Sequence, residues 1–207
     1  MIDDTTIIVP TYNNEEHIEH TLLELVRFSK RHRFIQQIII TDNASTDKTL
    51  DIILKNIHLL RNPNILLITQ PRHKRLKKII ILAIEKANTP NCVIIEPQLY
   101  TKPYQIKHQI KLLRRAELIL PSRMHPNSIV VLDKMTKKEL YYIPQPIMIL
   151  KVPDITNMNK AFKRDKILRR LKKTKTNDKY WEEIIQEGKI KITEAPTHYN
   201  ERMYYKK

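Results

Sequence analysis

The hydrophobic positions of the first 120 residues alternate between two spacings. Short runs rich in β-branched residues are typical of buried strands, and longer stretches with apolar residues three or four positions apart are typical of helices. This alternation predicts βαβ units on a mostly parallel sheet flanked by helices. The predicted strands cover residues 6–9, 35–41, 65–69, 92–95 and 117–120, and the predicted helices cover about 15–31, 45–60, 76–87 and 104–114.

The pattern is less regular after residue 120. Prolines at positions 121, 126, 144, 146 and 153 predict loops and short pieces over 121–153. Two further helices are predicted at about 163–171 and 178–187, and a strand near 189–193. Because no repeat or low-complexity linker divides the chain, residues 1–207 are predicted to form one domain with a C-terminal extension.

The charge and the glycine content restrict the function. Lys and Arg outnumber Asp and Glu by 38 to 22, a net charge of +16 that attracts polyanions; a compositional bias towards Lys and Ile explains the charge equally well without any ligand. Nucleic-acid binding would rest on this charge alone and is the weakest hypothesis. Gly188 is the one glycine, which argues against a P-loop or a GxGxxG turn and hence against ATPases, kinases and Rossmann dehydrogenases.

Cellular location follows from what the sequence lacks. Cys92 is the one cysteine, which excludes an internal disulfide framework and a thiolate metal cluster. No apolar stretch approaches the roughly 18 residues of a membrane span, and acidic residues near the start are unlike a signal peptide. The predicted location is cytoplasmic, with peripheral attachment to a membrane as an option.

Polar side chains follow the predicted strands where ligands bind in open α/β sheets, beyond the carboxyl ends of the strands. The four segments are 10–15, 42–47, 96–100 and 122–123. Three of them bring carboxylates to this edge and the fourth brings Arg123. The alternative is local: Ser45 and Asp47 cap a helix, and Glu15 favours a helix N-terminus.

Two of these segments resemble known motifs. Ile8-Val9-Pro10-Thr11-Tyr12-Asn13-Asn14-Glu15 resembles the PxYNxE opening of family 2 glycosyltransferases, and residues 41–49, TDNASTDKT, resemble their second motif. Segments 119–123, 154–164 and 194–202 are similar, more weakly, to stretches of dolichyl-phosphate (polyprenyl-phosphate) mannosyltransferases and their relatives. The resemblance covers nearly the whole chain and implies a GT-A-like (Rossmann-like) fold with a nucleotide-binding half, 1–123, and an acceptor or C-terminal half, 124–207.

The resemblance also implies roles for individual residues. Pro10, Tyr12 and Glu15 would line the base and ribose of a nucleotide sugar, GDP- or UDP-linked, and Asp42 would accept a hydrogen bond from the base. Glu96 and Gln98 stand where the family's DxD motif holds Mg²⁺ or Mn²⁺. Cations that would neutralise phosphate oxygens are Arg123, Lys163 and Arg164, and the residues assigned to catalysis are Glu96 and Arg123.

The sequence departs from the family pattern at two loops. Glu96-Pro97-Gln98 replaces the Asp pair, which predicts weak Mg²⁺ or Mn²⁺ binding because Gln98 offers a neutral oxygen. Residues 70–75, QPRHKR, replace a glycine-bearing loop. Three explanations stay open: cations that replace the metal, a protein that binds without turnover, or a solvated basic helix start.

Two functions follow as hypotheses. The first is transfer of a hexose from the nucleotide sugar to a polyprenyl phosphate or a glycan. A polyprenyl phosphate is already an anionic nucleophile at neutral pH, so no catalytic base is required, and an anionic membrane surface or a membrane protein would then be a partner. The second is a catalytically inactive binding or regulatory subunit.

Overall fold

A seven-stranded sheet is the centre of the computed structural model, which describes residues 2–62, 64–131, 154–155 and 157–200. The strands are β1 (Thr5–Thr11), β2 (Ile35–Asp42), β3 (Ile65–Thr69), β4 (Asn91–Ile94), β5 (Leu118–Ser122), β6 (Ile129–Val131), β7 (Lys160–Lys163), β8 (Ile192–Pro196) and β9 (His198–Asn200). The helices are α1 (Ile18–Arg31), α2 (Thr49–Leu60), α3 (Leu76–Lys86), α4 (Tyr104–Leu112), α5 (Arg164–Lys173) and α6 (Tyr180–Gln186).

The sheet is mostly parallel, in the order β3-β2-β1-β4-β7-β5-β8. Strand β7 runs antiparallel to both of its neighbours, and the other described pairs of this sheet are parallel. The predicted α/β fold is therefore confirmed. The residues predicted as a C-terminal extension supply β7 and β8, so they complete this sheet; β6 and β9 form a separate two-stranded sheet.

Both faces of the sheet are buried, which explains the near-continuous apolar runs of its strands. Successive side chains of a strand point to opposite faces. Ile7 and Val9 of β1 accordingly pack in one core cluster with α1 and α4, and Ile8 packs in a second cluster with α3, α5 and α6. Packing on both faces holds β1, β2 and β4 firmly at the middle of the molecule.

The carboxyl ends of β1, β2 and β4 lie at the same edge of the sheet because these strands are parallel and adjacent. Each following loop contains a non-glycine residue in the left-handed region: Asn13 (φ 51°), Ala44 (φ 61°) and Leu99 (φ 51°). This conformation costs an L-residue about 1 kcal/mol or more. Strained backbone of this kind concentrates where loops are shaped for a ligand.

Several predictions fall outside the described residues. They concern the loops expected over 132–153 with their three prolines, Thr156 in one of the weaker motifs, and the end of the last motif after residue 200. Within the residues that the structure describes, no helix combines the length and the apolar character needed to cross a membrane.

Candidate functional site

A cleft of about 220 Å³ opens at the carboxyl ends of β1, β2 and β4. The loop after β1 supplies one wall, α3 supplies an apolar wall through Leu76 and Ile79, and the segment after β4 closes the third side. The cleft is lined by Pro10, Thr11, Tyr12, Asn14, Asn43, Leu76, Ile79, Pro97, Gln98 and Met158. Of the predicted site residues, the structure thus brings Pro10, Tyr12 and Gln98 together.

Tyr12 is the most exposed part of this cleft, with 43% of its surface accessible. Its ring meets the ring of His73 edge to face, with centroids 4.6 Å apart. An exposed aromatic face beside an apolar wall suits a planar ring such as a nucleobase, because stacking requires area more than specific donors.

Asp42 and Glu15 do not line the cleft, contrary to the sequence prediction. The Asp42 carboxylate is buried and accepts hydrogen bonds from the Ser45 amide (3.1 Å) and the Ser45 hydroxyl (2.5 Å). The Glu15 carboxylate accepts from the Lys48 amide (2.9 Å), and the Glu15 amide donates to Asp47 (3.2 Å). The bonds of Glu15 join the loops after β1 and β2, and those of Asp42 hold its own loop, so both carboxylates stabilise these loops.

Glu96 is also withdrawn from the cleft. Its side chain is buried at the end of β4, where one carboxylate oxygen accepts from the Asn159 amide (3.2 Å). Within the described residues the other oxygen is buried without a hydrogen-bond partner. Burial raises the pKa of Glu96 to about 7, although hydrogen bonds from Asn159 and the charge of Arg123 oppose the shift.

Arg123 is held by Asp154 in a two-pronged ion pair. Its Nε and one terminal nitrogen donate to the two carboxylate oxygens, both at 2.8 Å, and its backbone amide donates to the same group. The guanidinium also lies 5.0 Å from the centroid of the Tyr199 ring. Asp154 already balances the positive charge that the sequence assigned to a phosphate.

Lys160 was missed by the sequence analysis, although it is the largest fully buried side chain. Its ammonium donates to the carbonyls of Ile155 (3.1 Å) and Asn157 and lies 5.3 Å from the Trp181 ring centroid. Burial lowers the pKa of Lys160 to about 8, against the opposing charges of Asp154 and Glu96. We call Glu96, Arg123, Asp154, Asn159 and Lys160 the closed cluster.

Lys163 and Arg164 lie at the opposite edge of the sheet, so the structure does not bring these two predicted phosphate-binding residues to the cleft. Lys163 pairs with Asn91, the first residue of β4, because β7 is antiparallel. The Arg164 guanidinium donates to the Ile84 carbonyl (3.0 Å) and pairs with Asp165 (2.8 Å). If β7 were parallel to β4, the lysine and the arginine at its end would lie at the edge of the sheet where the cleft opens.

The family model for glycosyl transferase family 2 matches residues 6–177. The chain belongs to this family. No curated protein matches it in sequence.

Solved structures of glycosyltransferases share the fold. A Pyrobaculum calidifontis mannosyltransferase, PcManGT, in complex with GDP-Man and Mn²⁺ superposes with a TM-score of 0.68 at 18% identity, over 99% of this chain and 59% of that one. Staphylococcus aureus TarS 1-349 with UDP-GlcNAc gives 0.64 at 15% identity, over 96% and 59%. The chain thus spans about three-fifths of these two proteins.

The same architecture occurs in a synthase with a different name. The 4-diphosphocytidyl-2C-methyl-D-erythritol synthase of Anaerococcus prevotii has a TM-score of 0.63 at 12% identity, with 96% of this chain and 91% of that chain covered. At these identities the likeness shows the fold, and the chemistry has to be argued from the site itself.

The described residues of this chain do not fit a divalent metal ion at the predicted position. Glu96 is buried and engaged with Asn159, and Gln98 presents a neutral amide to the cleft. Over the part of the chain that the structure describes, no three His, Cys, Asp or Glu side chains are grouped as metal ligands. Mg²⁺ and Mn²⁺ sites depend on accessible carboxylates, and none of the described residues that line the cleft is an Asp or a Glu.

A second cavity, of about 690 Å³, has His73 in its lining, and the His73 ring contacts Tyr12 of the cleft. Its rim is the loop that the sequence marked as unusual, and five basic side chains line it. We call this cavity the basic groove, and its basic residues are Arg72, His73, Lys74, Arg75 and Lys78.

Proposed function

We propose that this chain is a glycosyltransferase that transfers a hexose from a GDP- or UDP-linked sugar to a polyprenyl phosphate or a glycan. The observation that carries the proposal is the cleft at the carboxyl ends of β1, β2 and β4, with Pro10 and Tyr12 of the family motif on its wall. Family membership supports sugar transfer in general. The likeness of the weaker motifs to dolichyl-phosphate mannosyltransferases supports a lipid-phosphate acceptor.

The cleft provides the contacts that a nucleoside needs. The exposed Tyr12 ring offers a stacking face, and Leu76, Ile79 and Met158 offer apolar contact for the ribose and base. The Gln98 amide is a polar group on the same wall and provides both a donor and an acceptor. A largely apolar pocket with a few polar groups is typical of cofactor and nucleotide sites.

The proposed reaction proceeds without a protein-bound metal ion. We regard Glu96-Pro97-Gln98 as a degenerate DxD motif, whose acidic residue now belongs to the closed cluster. Charge that develops on the leaving nucleoside diphosphate must then be stabilised by fixed donors or cations. The acceptor phosphate attacks as an anion, so the chain supplies orientation and electrostatics and needs no general base.

Titration with nucleotides and nucleotide sugars tests the nucleoside site. We expect GDP- or UDP-sugars to bind wild-type protein and Tyr12→Ala to weaken binding about 5- to 100-fold, the range of lost base stacking. Tyr104→Ala is the matched control, because Tyr104 is another exposed tyrosine (59% accessible) outside the cleft. Equal affinity in Tyr12→Ala and wild type would show that the nucleoside does not bind in this cleft.

A catalytically inactive binding or regulatory subunit is the second candidate. It is favoured by the closed cluster, because both residues assigned to catalysis from the sequence, Glu96 and Arg123, are engaged with protein partners there. The two functions differ in turnover. Release of GDP or UDP from a bound sugar nucleotide in the presence of a polyprenyl phosphate supports the transferase, and tight binding with no release supports the inactive subunit.

A further inference from the structure

The basic groove combines a high positive charge with little compensation. Arg72, His73, Arg75 and Lys78 are exposed and Lys74 is half-buried. Within the described ranges, which omit 132–153, 156 and 201–207, none of these five side chains forms an ion pair. Among the lining residues the acidic one is Glu85, and it pairs with Lys172 at 2.6 Å. Like charges held together repel, so an anion in the groove would relieve the repulsion.

The walls of the groove are held in place by side-chain hydrogen bonds. Asn43 brackets the basic loop: its amide nitrogen donates to the Lys74 carbonyl and its oxygen accepts from the Lys74 amide, both at 2.8 Å. Because Asn43 also lines the cleft, the cations of the loop keep a fixed position relative to the proposed nucleoside site. A cation that is already positioned loses less entropy when it binds a ligand.

The opposite wall, which contains Asn177, is anchored as firmly. The buried Lys77 ammonium donates to the carbonyls of Thr174 (2.6 Å) and Thr176 (2.8 Å). The Glu183 carboxylate accepts from the amides of Lys175 (2.8 Å) and Thr176 (3.0 Å). Lys77 is therefore structural, while its neighbours on the same helix point their charges into the groove.

We infer that the basic groove binds a diphosphate group through its side-chain cations, in place of a divalent metal ion. Guanidinium and ammonium groups form strong, charge-assisted hydrogen bonds with phosphate oxygens. The groove adjoins the cleft at the Tyr12–His73 contact, so the diphosphate of a nucleotide sugar is its occupant. This inference rests on the proposed function; free diphosphate shares the chemistry and serves as an independent probe.

Calorimetric titration of the full chain with inorganic diphosphate, GDP and UDP, in EDTA and in Mn²⁺, tests the inference. We expect the affinity for each of the three ligands in EDTA to equal its affinity in Mn²⁺. Arg75→Gln combined with Lys78→Gln should weaken diphosphate and nucleoside diphosphate at least about 10-fold, because each charged hydrogen bond is worth about that factor. The affinity of the uncharged nucleoside should not change.

The matched control removes the same two kinds of charge elsewhere. Lys111 and Arg114 are exposed and line a different cavity of about 730 Å³. Lys111→Gln combined with Arg114→Gln should leave diphosphate affinity within about 2-fold of wild type, since the two variants change the net charge equally. An equal loss in both variants would reveal general attraction of polyanions to a basic protein and overturn the inference.

The remaining outcomes separate the inference from the proposed function. Nucleotide binding that requires Mn²⁺, or that is unchanged in the groove variant, overturns the inference and leaves the proposed function standing. Groove-dependent binding of inorganic diphosphate without binding of any GDP- or UDP-sugar overturns the proposed function and retains a site for free diphosphate. Binding of neither overturns both.

Discussion

The charged side chains of the closed cluster and of the basic groove have opposite environments, although both regions lie beside the proposed nucleoside cleft. In the closed cluster the half-buried Arg123 pairs with Asp154, and the buried Lys160 donates to backbone carbonyls. In the basic groove the basic side chains lie on a loop held by Asn43 and on the start of α3. The acidic residue expected to bind a metal has thus become part of the interior, while basic side chains with no ion pair among the described residues line the groove. The presence of a charged residue near a site therefore does not predict ligand binding until the residue with which it pairs is known.

Asp154→Ala should have the largest effect, because it removes the buried carboxylate that pairs with Arg123 and whose charge acts on the buried Lys160. Removal of one partner from a buried pair costs about 3–5 kcal/mol of folding free energy. We expect urea denaturation to show a loss of this size. Asp165→Ala is the control, since Asp165 pairs with Arg164 at the surface (75% exposed) and should cost less than about 1 kcal/mol. Similar small losses in both would show that the cluster is not closed.

Glu96→Gln should change how stability depends on pH. Burial raises the pKa of Glu96 from 4.5 to about 7, so the folded state holds this proton more tightly than the unfolded state does. Wild-type stability therefore falls as the pH rises through this window, and the penalty is complete above it. The variant should match wild type near pH 4 and exceed it at pH 8 by up to about 3 kcal/mol.

Glu117→Gln provides the control of opposite sign. Burial pulls the pKa of Glu117 upwards, but hydrogen bonds from Lys166 and Lys191 lower the pKa overall. Its stabilisation is present at neutral pH and is lost as the pH falls, so this variant should be less stable than wild type at pH 7 and equal to it in acid. Urea denaturation from pH 4 to 8 measures both variants, and parallel profiles for the two would contradict the assignment.

Asn43→Ala should weaken both the stability of the fold and the binding of diphosphate in the basic groove. The loss of two hydrogen bonds to Lys74 should cost about 1–2 kcal/mol of stability. It should also weaken diphosphate binding several-fold, because the cations lose their fixed position. Asn56→Ala is the matched control: Asn56 is equally buried and bonded to Ile52 and Glu19, away from the groove. The Asn56→Ala variant should lose stability but keep its affinity for diphosphate; denaturation measures the first quantity and calorimetry the second.

Lys78→Gln should have the smallest effect on stability and should stabilise the protein. Relief of repulsion from the neighbouring cations is worth about 0.3 kcal/mol at low salt, and screening should abolish the gain near 1 M salt. Lys172→Gln, which breaks the pair with Glu85, should instead lose a similar amount at low salt. Thermal denaturation at two salt concentrations separates these signs.

The strands and helices of the first half could be predicted because their signal is local. Residues 6–9, 35–41 and 65–69 are runs whose composition alone favours strands, and the structure places β1, β2 and β3 there. Helix α3 begins at the predicted residue. The family motifs lie in these same segments, so the fold and the general class of reaction could be predicted together.

The second half could be predicted only in part: α5 and α6 lie where helices were expected, at about 163–171 and 178–187, but β7 was not predicted. Strand β7 is four residues long, Lys-Ala-Phe-Lys, and without a polar–apolar alternation it cannot be distinguished from the start of a helix. Its antiparallel insertion between β4 and β5 buries Lys160 and carries Lys163 to the far edge of the sheet. If residues 160–163 had been recognised as a strand, the position of Lys160 at its start would have indicated a buried charge.

The amino-acid sequence by itself determined the alternating strands and helices of the first 120 residues, the family, and the loops that meet at the carboxyl edge, because each of these depends on neighbours within a few residues. Only the tertiary structure decided which of the charged residues are available to a ligand. Glu96 meets Asn159 across 63 positions and Arg123 meets Asp154 across 31, and such long-range partners, which neutralise or bury a charge, leave no trace in local spacing.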